Sequence, residues 1–93
     1  MADRLAPDEI SRFLESHQEW TGDGEALRRT FTFGDFNESM GFVVRVAMAS
    51  EVADHHPDID VRWNKVTITL STHSEGGLTA KDVDLAVHFD AMA

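Results

Sequence analysis

Pro57-Asp-Ile-Asp-Val-Arg-Trp63-Asn-Lys65-Val-Thr-Ile-Thr-Leu70-Ser-Thr-His73 is the stretch that decides the fold. From Pro57 to Trp63 apolar and polar residues alternate. They alternate again where Val66, Ile68 and Leu70 oppose Thr67, Thr69 and Ser71. A period of two in β-branched residues marks a strand with one buried face. Asn64-Lys65 between the two runs reads as a tight turn, so the stretch predicts an antiparallel hairpin.

A second hairpin is expected upstream. Leu27, Arg29, Phe31 and Phe33 oppose Arg28, Thr30 and Thr32, which predicts a half-buried strand from Ala26 to Phe33. Trp20-Thr-Gly-Asp-Gly24 supplies a strand end and a turn before it. Between the hairpins, Asp35 is a favoured helix N-cap and Glu38 follows at capping-box spacing, opening a long helix from Phe36 to Ala53. Phe36, Met40, Val43, Val44, Ala47 and Met48 predict its apolar face. Phe42 and Val46 add a second stripe, so this helix is expected to be covered on more than one side.

Two shorter helices flank these units. Pro7-Asp8-Glu9 starts the first, with Ile10, Phe13 and Leu14 facing inward and His17 near its end. Thr79 caps the last, with Val83, Ala86, Val87 and Met92 as predicted core positions. The order α-β-β-α-β-β-α predicts one α+β domain over residues 1–93: a four-stranded antiparallel sheet with three helices packed on one face.

Composition narrows the function. The 93 residues hold 42% hydrophobic residues, enough for a core, with 17 acidic against 8 basic side chains and a formal net charge of -9. Such a surface repels phosphate backbones and anionic lipid, so neither nucleic acid nor a membrane is an expected partner. Without cysteine there is no disulfide framework, thiolate metal site or thiol nucleophile. Met1-Ala-Asp-Arg-Leu-Ala-Pro7 lacks the pattern of a signal peptide, and no apolar run reaches membrane-spanning length. A cytoplasmic domain, stabilised by self-association, is the expectation.

The chemistry is concentrated in Glu51-Val-Ala-Asp54-His55-His56-Pro57, which joins the long helix to the second hairpin. Histidine exchanges a proton near neutrality. Pro57 biases His56 toward an extended backbone, so the two rings diverge. A tight hairpin returns His73 to the side of His55 and His56, and the last helix brings Asp82 within reach. Four interpretations compete. A metal site lacks His-x-His or His-Glu-x-x-His spacing, and a nucleophilic serine at Ser71 or Ser74 lacks an elbow motif. General acid-base catalysis without a metal suits several histidines and carboxylates around one cleft. The last is that these are loop histidines with ordinary partners. His17 and His88 are expected to be solvated or capping, Trp20 and Trp63 to be core or interface anchors, and Asp82 can also serve as a helix cap.

The combined spacings resemble the pterin-4a-carbinolamine dehydratase family. They run Glu51-x-x-x-His55-His56-Pro57, Trp63, His73 and Asp82, with Asn64 to His73, Gly77-Leu78-Thr79 and Phe33-Gly-Asp-Phe36-Asn37 around them. The resemblance covers the chain from about Trp20 onward. It implies three helices on a four-stranded antiparallel sheet, and dehydration of 4a-hydroxytetrahydropterin to quinonoid dihydropterin in tetrahydropterin recycling, with no cofactor and no metal. It also implies a catalytic set of His55, His56, His73 and Asp82. His55 and His73 share the two proton transfers, His56 holds the pterin and assists, and Asp82 orients or charge-stabilises a histidine. Glu51, Pro57, Thr72, Ser74 and Glu75 complete the pterin-binding edge. Which histidine is the acid stays open.

Ile59 and Glu75 depart from residues common in the family, an aromatic and a cysteine, and both bear on pterin contacts. The resemblance further implies a homodimer or homotetramer, for which the Phe36–Ala53 helix or a sheet edge is the expected contact. Some relatives instead use that helix as dimerisation cofactors of a transcription factor. A pterin-binding protein without turnover is the remaining alternative.

Overall fold

The hairpin forms with its turn one residue earlier than the sequence suggests. In the computed structural model, which describes residues 3–93, β3 (Asp58–Arg62) and β4 (Lys65–Leu70) pair antiparallel, with Arg62 opposite Lys65 and Asp58 opposite Thr69. The turn is therefore Trp63-Asn64, not Asn64-Lys65. Trp63 takes a positive φ of 51° there. Asn64 ties the turn to the neighbouring strand, accepting from Phe33 N at 2.8 Å and donating from Nδ2 to Phe33 O at 3.1 Å. Lys65 is freed to start β4, and the inward register of Val66, Ile68 and Leu70 is unchanged.

The other elements are α1 (Pro7–Ser16), β1 (Thr21–Gly22), β2 (Leu27–Thr32), α2 (Phe36–Ala53) and α3 (Ala80–Met92), with a 3-10 turn at His73–Glu75. The sheet order is β1-β2-β4-β3, all antiparallel. The two hairpins thus join through their long strands: Leu27 lies opposite Leu70, Arg29 opposite Ile68 and Phe31 opposite Val66. Burial of these inward residues defines one covered face. The opposite face, with Arg28, Thr30, Thr67 and Thr69, stays polar and largely open. An α+β domain with its helices on one face follows.

The faces of the helices need correction. The side of α2 that meets the sheet carries Ser39, Phe42, Val46 and Ser50, all buried. Of the expected core face, Phe36, Met40, Val44 and Met48 are 51%, 36%, 55% and 65% exposed and Ala47 is exposed too, while Val43 alone packs at the core margin. The stripe taken as secondary is the one that packs. Phe42 fills the space over the sheet, its ring centroid 4.6 Å from that of Phe31 and 5.1 Å from that of Phe33. Two serines let the backbone approach closely. Their hydroxyls bond within the helix, Ser39 to Asp35 O at 3.0 Å and Ser50 to Val46 O at 2.7 Å, so no polar atom is stranded.

In α3 the buried residues are Asp82, Leu85, Ala86 and Phe89. Ala86 meets the expectation. Val83 and Met92 sit at the core margin, and Val87 is 46% exposed. Leu85 and Phe89 displace Val87 because only the 82-85-86-89 stripe faces the sheet, as i, i+3, i+4, i+7 spacing requires.

The two tryptophans part company. Trp20 is buried and its indole N–H donates to both carboxylate oxygens of Asp90 at 3.0 Å. Arg29, on the inner face of β2, donates to the same carboxylate at 2.7 Å and lies 4.2 Å over the Phe31 ring. Trp63 projects from the hairpin turn, 65% exposed.

Candidate active site

Helix α2 ends in a way that aims the next residues. Asp54 adopts a left-handed conformation (φ 51°, ψ 44°). Its N–H reaches Glu51 O at 3.2 Å, while His55 N–H reaches Ser50 O at 3.1 Å. This is a Schellman closure, with aspartate in the position glycine usually fills. The reversed backbone carries His55 away from the helix axis and toward β4. Continuing the register of β3 and β4 beyond Asp58 and Thr69 brings position 55 level with position 72.

His55 meets Asp82 there. Its Nε2 lies 2.6 Å from Asp82 Oδ1, with the imidazole 11% and the carboxylate 0% exposed. Asp82 sits in the first turn of α3, where the helix dipole favours negative charge. Its second oxygen accepts from Thr72 Oγ1 at 2.7 Å and from Thr79 N at 2.9 Å. The Thr72 and Thr79 hydroxyls are 2.9 Å apart. Asp82 therefore holds a histidine and also completes a helix cap, the two roles the sequence set against each other.

The remaining predicted residues lie on the surface around this network. His56 is exposed, its Nε2 3.5 Å from Glu51 Oε2, a solvated contact of small energetic worth. Pro57 is half-buried between His56 and β3. His73 is exposed and heads the 3-10 turn directly after Thr72. Ser74 and Glu75 complete that turn, which is pinned at its base by Thr72 N to Gly77 O at 3.1 Å and Gly77 N to Thr72 O at 3.3 Å. Neither serine is set up as a nucleophile: Ser71 Oγ donates to Glu25 O at 2.7 Å, and Ser74 is exposed. Among the described residues no three histidine or acidic side chains converge as a metal-binding group.

So the fold joins His55, Thr72 and Asp82 directly, and leaves His56, His73, Glu51 and Ser74 exposed with a half-buried Glu75 as a rim. Thr79 is the link the sequence did not reveal beyond its helix-capping pattern. His17, as expected, closes a helix end, with Nδ1 3.0 Å from Phe13 O and its ring stacked on Phe13.

The arrangement supplies one buried imidazole-carboxylate pair and two solvent-facing imidazoles, His56 next to His55 and His73 next to Thr72 in the chain, a set suited to moving protons on a ligand laid over the rim. A separate groove of about 580 Å³ lies between α2 and α3, lined by Met48, Val52, Leu85 and Met92 with Arg45 and Lys81 at its margin. No histidine of the candidate set lines it.

Comparison with known proteins gives the family and the fold. The family model described as pterin 4 alpha carbinolamine dehydratase matches residues 3–92. A provisionally named pterin-4-alpha-carbinolamine dehydratase of Roseiflexus sp. (strain RS-1) is 50% identical over 90 residues, 97% of each chain. One of Natronomonas pharaonis, named in the same way, is 42% identical over 93 residues, 100% of this chain and 99% of its own. A crystal structure described as a transcriptional coactivator/pterin dehydratase from Brucella melitensis superposes with a TM-score of 0.92 at 36% identity, covering 98% and 99% of the two chains. A pterin dehydratase-like protein described as a RuBisCO assembly factor in the alpha-carboxysome gives a TM-score of 0.66 at 28% identity, over 80% of this chain and 86% of that one. A match along nearly the whole length means that this chain belongs to the pterin 4 alpha carbinolamine dehydratase family.

Proposed function

We propose that this protein dehydrates 4a-hydroxytetrahydropterin to quinonoid dihydropterin and water, in tetrahydropterin recycling, by histidine acid-base catalysis. The observation that carries the proposal is the 2.6 Å contact between His55 and the fully buried Asp82. A histidine whose Nε2 is held by a carboxylate has its other nitrogen available to take a proton, and the imidazolium formed is stabilised where it stands. His55 is accordingly the base.

In the step, the N5–H bond breaks and its proton passes to His55. The N5 electron pair forms the C4a=N5 double bond as the C4a–O bond breaks. The hydroxyl takes a proton from His73 and leaves as water. The exposed His73 regains its proton from solvent and His55 returns its own, so the protein ends unchanged. His56, steadied by Glu51, contacts the pterin, with Pro57, Ser74 and Glu75 along the same edge.

The exposed stripe on α2 supports self-association as well. Phe36, Met40, Val44, Met48 and Val52 recur about every four residues and stay open to solvent, more apolar surface than one helix of a monomer ordinarily leaves. A homodimer or homotetramer through α2 covers it, and the open edge of β3 offers a second contact. The test of the function is to mix the protein with freshly generated 4a-hydroxytetrahydropterin and follow the quinonoid product. Acceleration over the spontaneous rate that falls in both His55→Ala and His73→Ala is expected. No acceleration overturns the dehydratase assignment; activity indifferent to both substitutions overturns the residue assignment.

A further inference from the structure

We infer that Thr72, backed by Thr79, is a positioning residue that holds the Asp82 carboxylate in the orientation that fixes His55 in its Nε2–H tautomer, so that Nδ1 is the nitrogen His55 presents to substrate. The inference rests on the proposal that His55 is the base. It assigns Thr72 a place behind the site instead of on the pterin-binding edge.

The case is a proton count inside a closed network. Thr72 has one hydroxyl proton and two close oxygen neighbours, Asp82 Oδ2 at 2.7 Å and Thr79 Oγ1 at 2.9 Å. An ionised carboxylate can only accept. Were Thr72 to donate to Thr79, its lone pairs would face those of Asp82 at 2.7 Å in a buried space, with nothing between them. The Thr72 proton therefore goes to Asp82, and Thr79 must donate to Thr72.

Oδ2 of Asp82 then receives two donors, the Thr72 hydroxyl and Thr79 N–H, while Oδ1 has His55. With Asp82 acting only as an acceptor, the contact at Oδ1 requires a proton on His55 Nε2. A neutral imidazole carries one proton, so Nδ1 is left with its lone pair. Hydrogen bonds in such a chain polarise one another, which ties the state of His55 to hydroxyls that have no contact with its ring. Thr72 is 6% and Thr79 0% exposed, so water does not readily replace either hydroxyl.

Two measurements test this. The first uses the intact wild-type protein, labelled with 15N, and long-range 1H–15N correlation of the His55 ring at neutral pH. Protonated Nε2 and unprotonated Nδ1 are expected; a proton on Nδ1 overturns the inference. This readout needs no turnover, so it stands even if the dehydratase assay finds no activity. The second compares Thr72→Val with Thr72→Ser. Losing one hydrogen bond to a charged group should lower kcat about tenfold in Thr72→Val with KM little changed, while Thr72→Ser restores both kcat and the wild-type ring spectrum. A rise in KM with kcat intact would mean that Thr72 touches the substrate. A serine variant as impaired as the valine one would mean that the methyl group, not the hydroxyl, matters. Either result overturns the inference.

Discussion

Asp82→Asn isolates what the buried carboxylate contributes, because it alters charge and donor pattern while keeping shape. Asp82 accepts from His55 at 2.6 Å, from Thr72 at 2.7 Å and from Thr79 N at 2.9 Å. The asparagine carbonyl must stay with Thr72 and Thr79, since turning the amide would set N–H against N–H. Its NH2 group then faces His55 Nε2, which can only accept it, and the proton moves to Nδ1. On the proposed mechanism, the nitrogen that takes the pterin proton then arrives already occupied. Restoring it breaks the new hydrogen bond, and the imidazolium formed in the reaction has lost its counter-charge. A hydrogen bond to a charged group contributes about 1.5–3 kcal/mol against about 1 for a neutral one. Together with the tautomer cost, the barrier rises by about 3–4 kcal/mol, or about a hundredfold to a thousandfold in kcat. Folding stability falls less, by about 2 kcal/mol, because every buried donor keeps a partner. Stopped-flow kinetics at saturating carbinolamine, with a denaturant melt on the same sample, measures both. A folded Asp82→Asn enzyme whose kcat lies within about threefold of wild type would refute the role given to this carboxylate.

Three further outcomes follow from the fold. Phe42→Ala, at a fully buried ring, should cost about 3–5 kcal/mol in urea denaturation, and costs that match those of Met48→Ala on the opposite side of α2 would reject the corrected facing of the helix. Asp54→Gly should stabilise the protein by about 0.5–1 kcal/mol, since glycine takes the left-handed φ of 51° without Cβ strain; a loss would mean the aspartate side chain does more than tolerate that turn. Backbone N–H groups of Glu25 and Ala26 hold the exposed Asp23 carboxyl below its ordinary range. Its contribution is present above that range and fades as pH falls through the lowered value, so Asp23→Ala should lose stability at neutral pH and converge with wild type in acid; a gap that does not change with pH would contradict this.

Strand positions were legible because alternation is tied to which side of a sheet is covered. Val66, Ile68 and Leu70 could face inward in only one register, and a one-residue error in the turn did not move them. The facing of α2 was not legible. Its hydrophobicity hardly varies around the helix, so sequence could not say which apolar stripe meets the sheet. The larger side chains of the outer stripe pointed to the wrong one. Asp82 was visible as a cap three residues beyond Thr79 and, by resemblance, as a site residue. That it does both became apparent only once the segment after β4 set Thr72 against Thr79 and Asp82, contacts across seven and ten positions that no local pattern encodes.

The network also explains why so small a domain keeps three buried polar side chains beside a half-buried histidine. Burying a charge together with its hydrogen-bond partners is seldom the most stable solution, and an apolar set of the same volume is often as good or better. The α3 terminus could be capped by an exposed residue, as α2 is by Asp35, whose carboxylate accepts from Glu38 N at 2.8 Å. At α3 the capping carboxylate is instead turned inward and given to a histidine. Stability does not call for that choice; the proposed use of His55 as a base does. The same bonds that seat α3 orient His55, so a substitution that loosens the start of α3 should lower turnover before it unfolds the chain.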